Sequence, residues 1–195
     1  MTAQPFTSER IHELVSRNPA NGEEIGRAAL MTAADVAASV RYARAAQPAW
    51  AALSYRERAE YILRARELVL AQTDEIANLI SRETGKPPME ALSMEVVPTL
   101  DLMNHFARHT EKMLQREKID IGQYGVFGRA SYIFYKPLGV VGIISPWNFP
   151  WATPLDEVVM ALMGANGVVL KPSELTSLMA LKIAGIFKEA RLPKE

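Results

Sequence analysis

Two short, unbroken apolar runs constrain this 195-residue chain more than any other feature: Val140-Val141-Gly142-Ile143-Ile144 and Gly167-Val168-Val169-Leu170. Continuous apolarity over four or five residues is what a strand buried on both faces needs. Between the runs, Thr153 precedes Pro154, a cap residue ahead of proline at the first helical position, and predicts a helix through Met163. Residues 176–190 predict a second helix. Strand, helix, strand, helix is a βαβα unit, so the two strands are expected to be parallel and joined by a right-handed crossover.

Upstream the pattern is helical. Residues 1–30 read as an irregular or strand-rich arm, with turn chemistry at Asn18-Pro19 and Asn21-Gly22. Thr32 with Asp35, and Ser54 with Glu57, have the spacing of capping boxes. The first predicts a helix to about Gln47, stopping before Pro48. The second predicts a helix with Ala59, Ile62, Leu63, Arg66 and Val69 on one face. A shorter helix over 74–82 is expected to end at Thr84-Gly85, ahead of Pro87-Pro88. Met89, Leu92, Val96, Leu100, Met103 and Ala107 continue a helical period that Pro98 should kink or split. Gly122, Gly125 and Gly128 mark turns, and residues 131–135 have strand composition. The expected division is an arm at 1–30, a helical part at 31–120, a strand or arm segment at 121–137, and an α/β part at 138–195.

Charge and composition exclude several classes. Lys plus Arg and Asp plus Glu balance at 22 each, so nothing favours nucleic acid or an anionic lipid surface. No run reaches the roughly 18 apolar residues of a membrane span, and Met1 to Glu9 lack the pattern of a secretory signal. A cytoplasmic protein is the expectation. There is no cysteine, hence no disulfide and no thiolate metal site. His105 and His109 stand four apart on a helix, but no Glu or third ligand accompanies them, so a solvated helix face is the expected reading and no metal is assigned.

Ligands in doubly wound sheets bind beyond the carboxyl ends of the strands. Two polar motifs fall there: Ser145-Pro146-Trp147-Asn148-Phe149-Pro150 after the first run, and Lys171-Pro172-Ser173-Glu174 after the second. On pattern alone they make either a site or a rigid, well-packed turn.

Residues 139–150 resemble, nearly residue for residue, the first motif block of the aldehyde dehydrogenase superfamily. Residues 167–174 resemble its second block at the right distance. Glu83-Thr84-Gly85-Lys86-Pro87 and Phe187-Lys188-Glu189-Ala190 are similar to further family segments. The resemblance covers essentially the whole chain and implies a Rossmann-like doubly wound parallel sheet preceded by a helical segment, present in part. It implies that Asn148 donates its side-chain amide to the oxyanion of a thiohemiacetal, a catalytic role. Ile144, Ser145, Pro146, Trp147, Lys171, Pro172, Ser173 and Glu174 would contact the cofactor, NAD with NADP possible, and Trp147 and Phe149 would line the aldehyde passage. Lys171 and Glu174 match the pair that holds the adenosine ribose hydroxyls. A carboxylate there accepts from both hydroxyls and repels a 2′-phosphate, which leans towards NAD.

The family's nucleophilic cysteine, general-base glutamate and pyrophosphate-binding glycines lie downstream of the matched region. The chain therefore reads as the N-terminal portion of an NAD(P)-dependent aldehyde dehydrogenase, inactive alone and poorly soluble, its longer form a homo-oligomer acting on a small aldehyde. A non-catalytic interaction protein and a stand-alone nucleotide-binding module are the alternatives. Two departures from the family pattern are also implied: Gly164-Ala165-Asn166 replaces Ala-Gly-Asn, and Arg191 stands where glycine usually ends the helix.

Overall fold

The computed structural model describes residues 13–126 and 128–192. The start of the arm and the last three residues lie outside the described residues. The arm's described part is an antiparallel hairpin of β1 (Glu13–Arg17) and β2 (Glu24–Ala29). Its turn is built as the sequence predicts, with Asn18 Oδ1 accepting from the Ala20 amide and Asn21 Oδ1 from Glu23.

Both capping boxes form. Thr32 and Asp35 open α1 (Ala33–Ala52), and Ser54 and Glu57 open α2 (Tyr55–Ala71). The expected stop at Gln47 is corrected, because α1 runs through Pro48 to Ala52. Tertiary contacts hold that turn helical despite the lost amide donor. The Gln47 amide donates to the Ala165 carbonyl at 2.9 Å, and the buried Trp50 indole donates to Leu162 at 2.8 Å. Helix α3 (Thr73–Thr84) ends on Gly85 at φ 77°, a left-handed cap that glycine adopts without strain.

The helix that Pro98 was expected to split does change character there. It consists of α4 (Pro88–Ala91), a π-helical turn (Leu92–Val96) and α5 (Val97–Met113). Pro98 has no amide to bond back to Met94, and the Val97 amide reaches Leu92 instead. A strand not read from the sequence follows: β3 (Glu117–Ile119), which pairs antiparallel with β4 (Ser131–Ile133) across the one-turn helix α6 (Gln123–Val126).

The predicted βαβα unit is present. Strands β5 (Val140–Ile144) and β6 (Gly167–Lys171) pair in parallel through α7 (Ala152–Met163), and α8 (Ser177–Glu189) follows. Among the described residues this parallel sheet has two strands, β5 and β6, short of the doubly wound sheet expected. Val141, Ile143, Val168 and Leu170 face the core made by α2, α5, α7 and α8. On the other face α1 comes so close that a Cβ on Gly167 would lie 2.7 Å from the Ala43 carbonyl. The expectation of burial on both faces fails at the strand end, where Ile144 is 80% exposed. Alternate residues of β5 point away from the core, and no described element covers them there. Among the described residues no helix is long and apolar enough to cross a membrane.

The two sequence departures fall at the turns after α7 and after α8. Ala165 lies at φ 64° and Arg191 at φ 59°, left-handed conformations that cost a side-chain-bearing residue roughly 1 kcal/mol. Ala165→Gly is expected to raise the melting temperature by about 2–4 °C. Thermal denaturation by circular dichroism checks this, and an unchanged or lower midpoint would show the turn to be unstrained.

A second local cost lies on α7. Burial, and then the neighbouring Glu157, push the Asp156 carboxyl up to about 6 from 3.8, and its Oδ1 is buried without a hydrogen-bond partner. A carboxyl raised on folding contributes stability that is intact below pH 3.8 and lost as pH rises through about 6. Asp156→Asn is expected to stabilise the chain at pH 7.5 by about 1–2 kcal/mol after allowance for partial solvent exposure, and by little at pH 4. Urea titrations at the two pH values check the prediction. Equal gains at both would remove ionisation as the cause.

Candidate functional site

The parallel register aligns the carboxyl ends of β5 and β6. Ile144 pairs with Lys171, and the Ser145 amide donates to the Lys171 carbonyl at 3.1 Å. The two predicted motifs therefore leave the sheet side by side. Lys171 and Glu174 both reach outward, their charged atoms 3.9 Å apart and their side chains 63% and 68% exposed. Between them Ser173 is buried and caps the following 3₁₀ turn (Glu174–Thr176), its hydroxyl accepting from the Leu175 amide at 3.2 Å. Pro172 is half-buried behind the same turn. The Ser173 hydroxyl also donates weakly to Glu174 Oε2 at 3.5 Å, and the carboxylate is otherwise exposed.

On the neighbouring turn, Ser145 and Pro150 are buried, whereas Pro146, Trp147 and Asn148 are exposed and Phe149 is half-buried. The exposed Asn148 side-chain amide has no hydrogen-bond partner among the described residues. Thr153 does not cap α7, and this expectation is corrected. The helix starts at Ala152, and its first amides are held by Glu95 from the π turn. Glu95 Oε2 accepts from the Trp151 amide at 2.9 Å and from Ala152 at 3.2 Å, while Oε1 accepts from Lys86 Nζ at 2.5 Å. The Lys86 ammonium also lies 4.0 Å from the centre of the Phe149 ring.

A second buried carboxylate plays the same part for α8. Glu83, at the end of α3, accepts from the Leu178 and Met179 amides at 3.1 and 3.0 Å and from the Ser16 hydroxyl at 2.6 Å. Burial pushes its carboxyl up, and these three donors oppose the shift. Asn166, also buried, ties β5 to the turn before β6. Its Oδ1 accepts from Gly139, and its amide donates to Ala161 and Gly164. Sequence reading missed the roles of Glu95 and Asn166. The available signal for Glu95 was an acid sharing the helical face of Ala91 and Thr99. His105 and His109 are exposed and stacked at 4.5 Å, in keeping with a solvated face.

Comparison with known proteins identifies the family of the chain. The family described as "Aldehyde dehydrogenase family" matches residues 6–195. The chain belongs to the aldehyde dehydrogenase family. Among solved structures, this aldehyde dehydrogenase chain is similar to the succinate-semialdehyde dehydrogenase of Burkholderia pseudomallei, at 31% identity and a TM-score of 0.85. That match covers 93% of this chain and 37% of the other. An NADP-dependent enzyme of E. coli matches at 31% identity and 0.85, again over 93% and 37%. PnpE in complex with nicotinamide adenine dinucleotide matches at 33% identity and 0.85, over 93% and 36%. The chain thus spans a little over a third of the length of the aldehyde dehydrogenase structures it matches.

Proposed function

We propose that this chain supplies the adenosine-ribose contacts and one oxyanion donor of an NAD(P)-dependent aldehyde dehydrogenase that converts an aldehyde to a carboxylic acid. The observation that carries the reading is the alignment of two exposed polar motifs at one sheet edge, fixed by the Ile144–Lys171 register. The residues present fit the cofactor. Glu174 offers an exposed carboxylate and Lys171 an exposed ammonium beyond the carboxyl end of β6. Ile144, Ser145, Pro146 and Trp147 form the adjoining wall, with Pro172 and Ser173 stiffening the cap beneath Glu174. When bound, the nicotinamide would supply hydride acceptance.

The chain's own residues do the rest by position. Asn148 presents a neutral donor that cannot ionise in competition with a developing oxyanion, the kind of donor whose removal typically costs about 10²–10³ in rate. Trp147 and Phe149 flank it as apolar walls for the aldehyde. The attacking thiol has to come from outside these residues, because none of the 195 is cysteine.

Dinucleotide binding tests the reading directly, without turnover. Glu174→Ala is expected to weaken NAD⁺ binding by about 10- to 100-fold, the worth of charge-assisted bonds to both ribose hydroxyls. Isothermal titration of the purified chain and the variant checks it. Equal affinity in the two would remove Glu174 from the cofactor site.

A further inference from the structure

We propose that Glu95, paired with Lys86, is a positioning residue that sets the placement of the Asn148 turn. The proposal rests on the reading of Asn148 as an oxyanion donor. Asn148 makes no hydrogen bond among the described residues, so its place comes entirely from what anchors the chain on either side. Upstream, the Ser145 amide is pinned to Lys171. Downstream, the Phe149 carbonyl accepts from the Thr153 amide at 3.3 Å, and the other anchors come from one short stretch of the helical layer.

Glu95 is fully buried and uses both oxygens, one on the Trp151 and Ala152 amides and one on Lys86. Trp151, also fully buried, donates its indole N–H to Thr99 Oγ1 at 3.2 Å. Thr99 is itself held by the Val96 carbonyl at 2.8 Å. Lys86 completes the clamp by placing its ammonium over the Phe149 ring.

Phe149 and Trp151 are thus gripped by residues 86 to 99, and Asn148 is the first residue upstream of that grip. Each contact is directional. A carboxylate accepting two successive amides fixes the helix start in both translation and rotation, which an apolar contact of the same area would not do. The charge of Glu95 is matched by Lys86, so the clamp leaves no isolated charge in the interior. Glu95 touches none of the proposed reacting atoms. Its effect on Asn148 is transmitted through two intervening residues of backbone, Phe149 and Pro150.

The test reads geometry in the full 195-residue chain by hydrogen exchange and ¹⁵N NMR. In Glu95→Ala, the Trp151 and Ala152 amides are expected to exchange about tenfold faster or more, and the Asn148 side-chain amide resonances should move. Glu95→Gln, which keeps an acceptor at the same place, should restore most of the protection. The Leu178 and Met179 amides, capped independently by Glu83, should not change. Unchanged Asn148 resonances in Glu95→Ala would overturn the proposal, as would losses spread equally to Leu178 and Met179.

Should Glu95→Ala fail to fold, Lys86→Met decides. It must shift the Phe149 and Asn148 signals while leaving α8 protected, and silence at both overturns the proposal. Asn148→Ala should leave Trp151 and Ala152 protected, since the dependence runs one way. These signals report placement and not chemistry, so they stand or fall separately from the oxyanion reading. Failure of that reading would appear instead as unaltered turnover on removing the Asn148 amide from a thiol-bearing form.

Discussion

Purified 195-residue chain, mixed with NAD⁺ or NADP⁺ and a panel of aldehydes, is expected to form no reduced cofactor above a protein-free control. Aldehyde oxidation through a thiohemiacetal requires a thiolate, and there is no sulfhydryl anywhere in the sequence. An oxyanion donor without a nucleophile stabilises a charge that never develops. Absorbance at the reduced nicotinamide band, followed for hours at high protein concentration, gives the measurement. Sustained aldehyde-dependent formation, abolished by Asn148→Ala, would show that some other group attacks the carbonyl. A thiol-bearing form of the enzyme should turn over under the same conditions, which makes the assay its own positive control.

A large effect on stability is expected from Glu83→Ala. That substitution strips three hydrogen bonds at once and leaves the Leu178 and Met179 amides of α8 without an acceptor in a buried setting. Orphaned buried donors cost about 1–3 kcal/mol each, so the combined loss should reach about 3–5 kcal/mol. In a chain of this size that lowers the melting temperature by roughly 10 °C. Glu83→Gln keeps one acceptor oxygen but turns a donor towards one of the amides, and should lose about half as much. Ser16→Ala removes only the outer partner and should cost about 1 kcal/mol. Thermal melts of the three variants check the order, and a Glu83→Ala midpoint within 2 °C of the parent would show that α8 needs no cap from α3.

These two carboxylates also mark where sequence reading stops. The capping boxes at Thr32 and Ser54 were legible because cap and partner lie three residues apart. The caps of α7 and α8 were not, because the bonds from Glu95 span 56 and 57 residues and those from Glu83 span 95 and 96. Thr153-Pro154 offered a local signal that the tertiary cap overrode. Pro48 was misread for a related reason: the helix persists on bonds from Gln47 and Trp50 to residues more than a hundred positions away. Strand β3 is Glu-Lys-Ile, too polar and too short to declare itself without β4 beside it. By contrast, the motif residues Asn148, Lys171 and Glu174 were readable as a group, and the parallel register brings their turns to one sheet edge.

The same long spans bear on how the chain acquires its structure. Loop closure over 50 to 100 residues has to precede either long-range cap, which puts the starts of α7 and α8 among the late, non-local events of folding. Ribosomal synthesis works in favour of that order. Glu83 and Glu95 emerge within helices α3 to α5 well before residue 151 is made, so the acceptors are already in place on a largely local helical layer. The βαβα half then condenses onto a surface that dictates where its helices begin. In refolding from denaturant that temporal advantage is absent, and the two halves must find each other in competition with pairing at the open edges of β5 and β6.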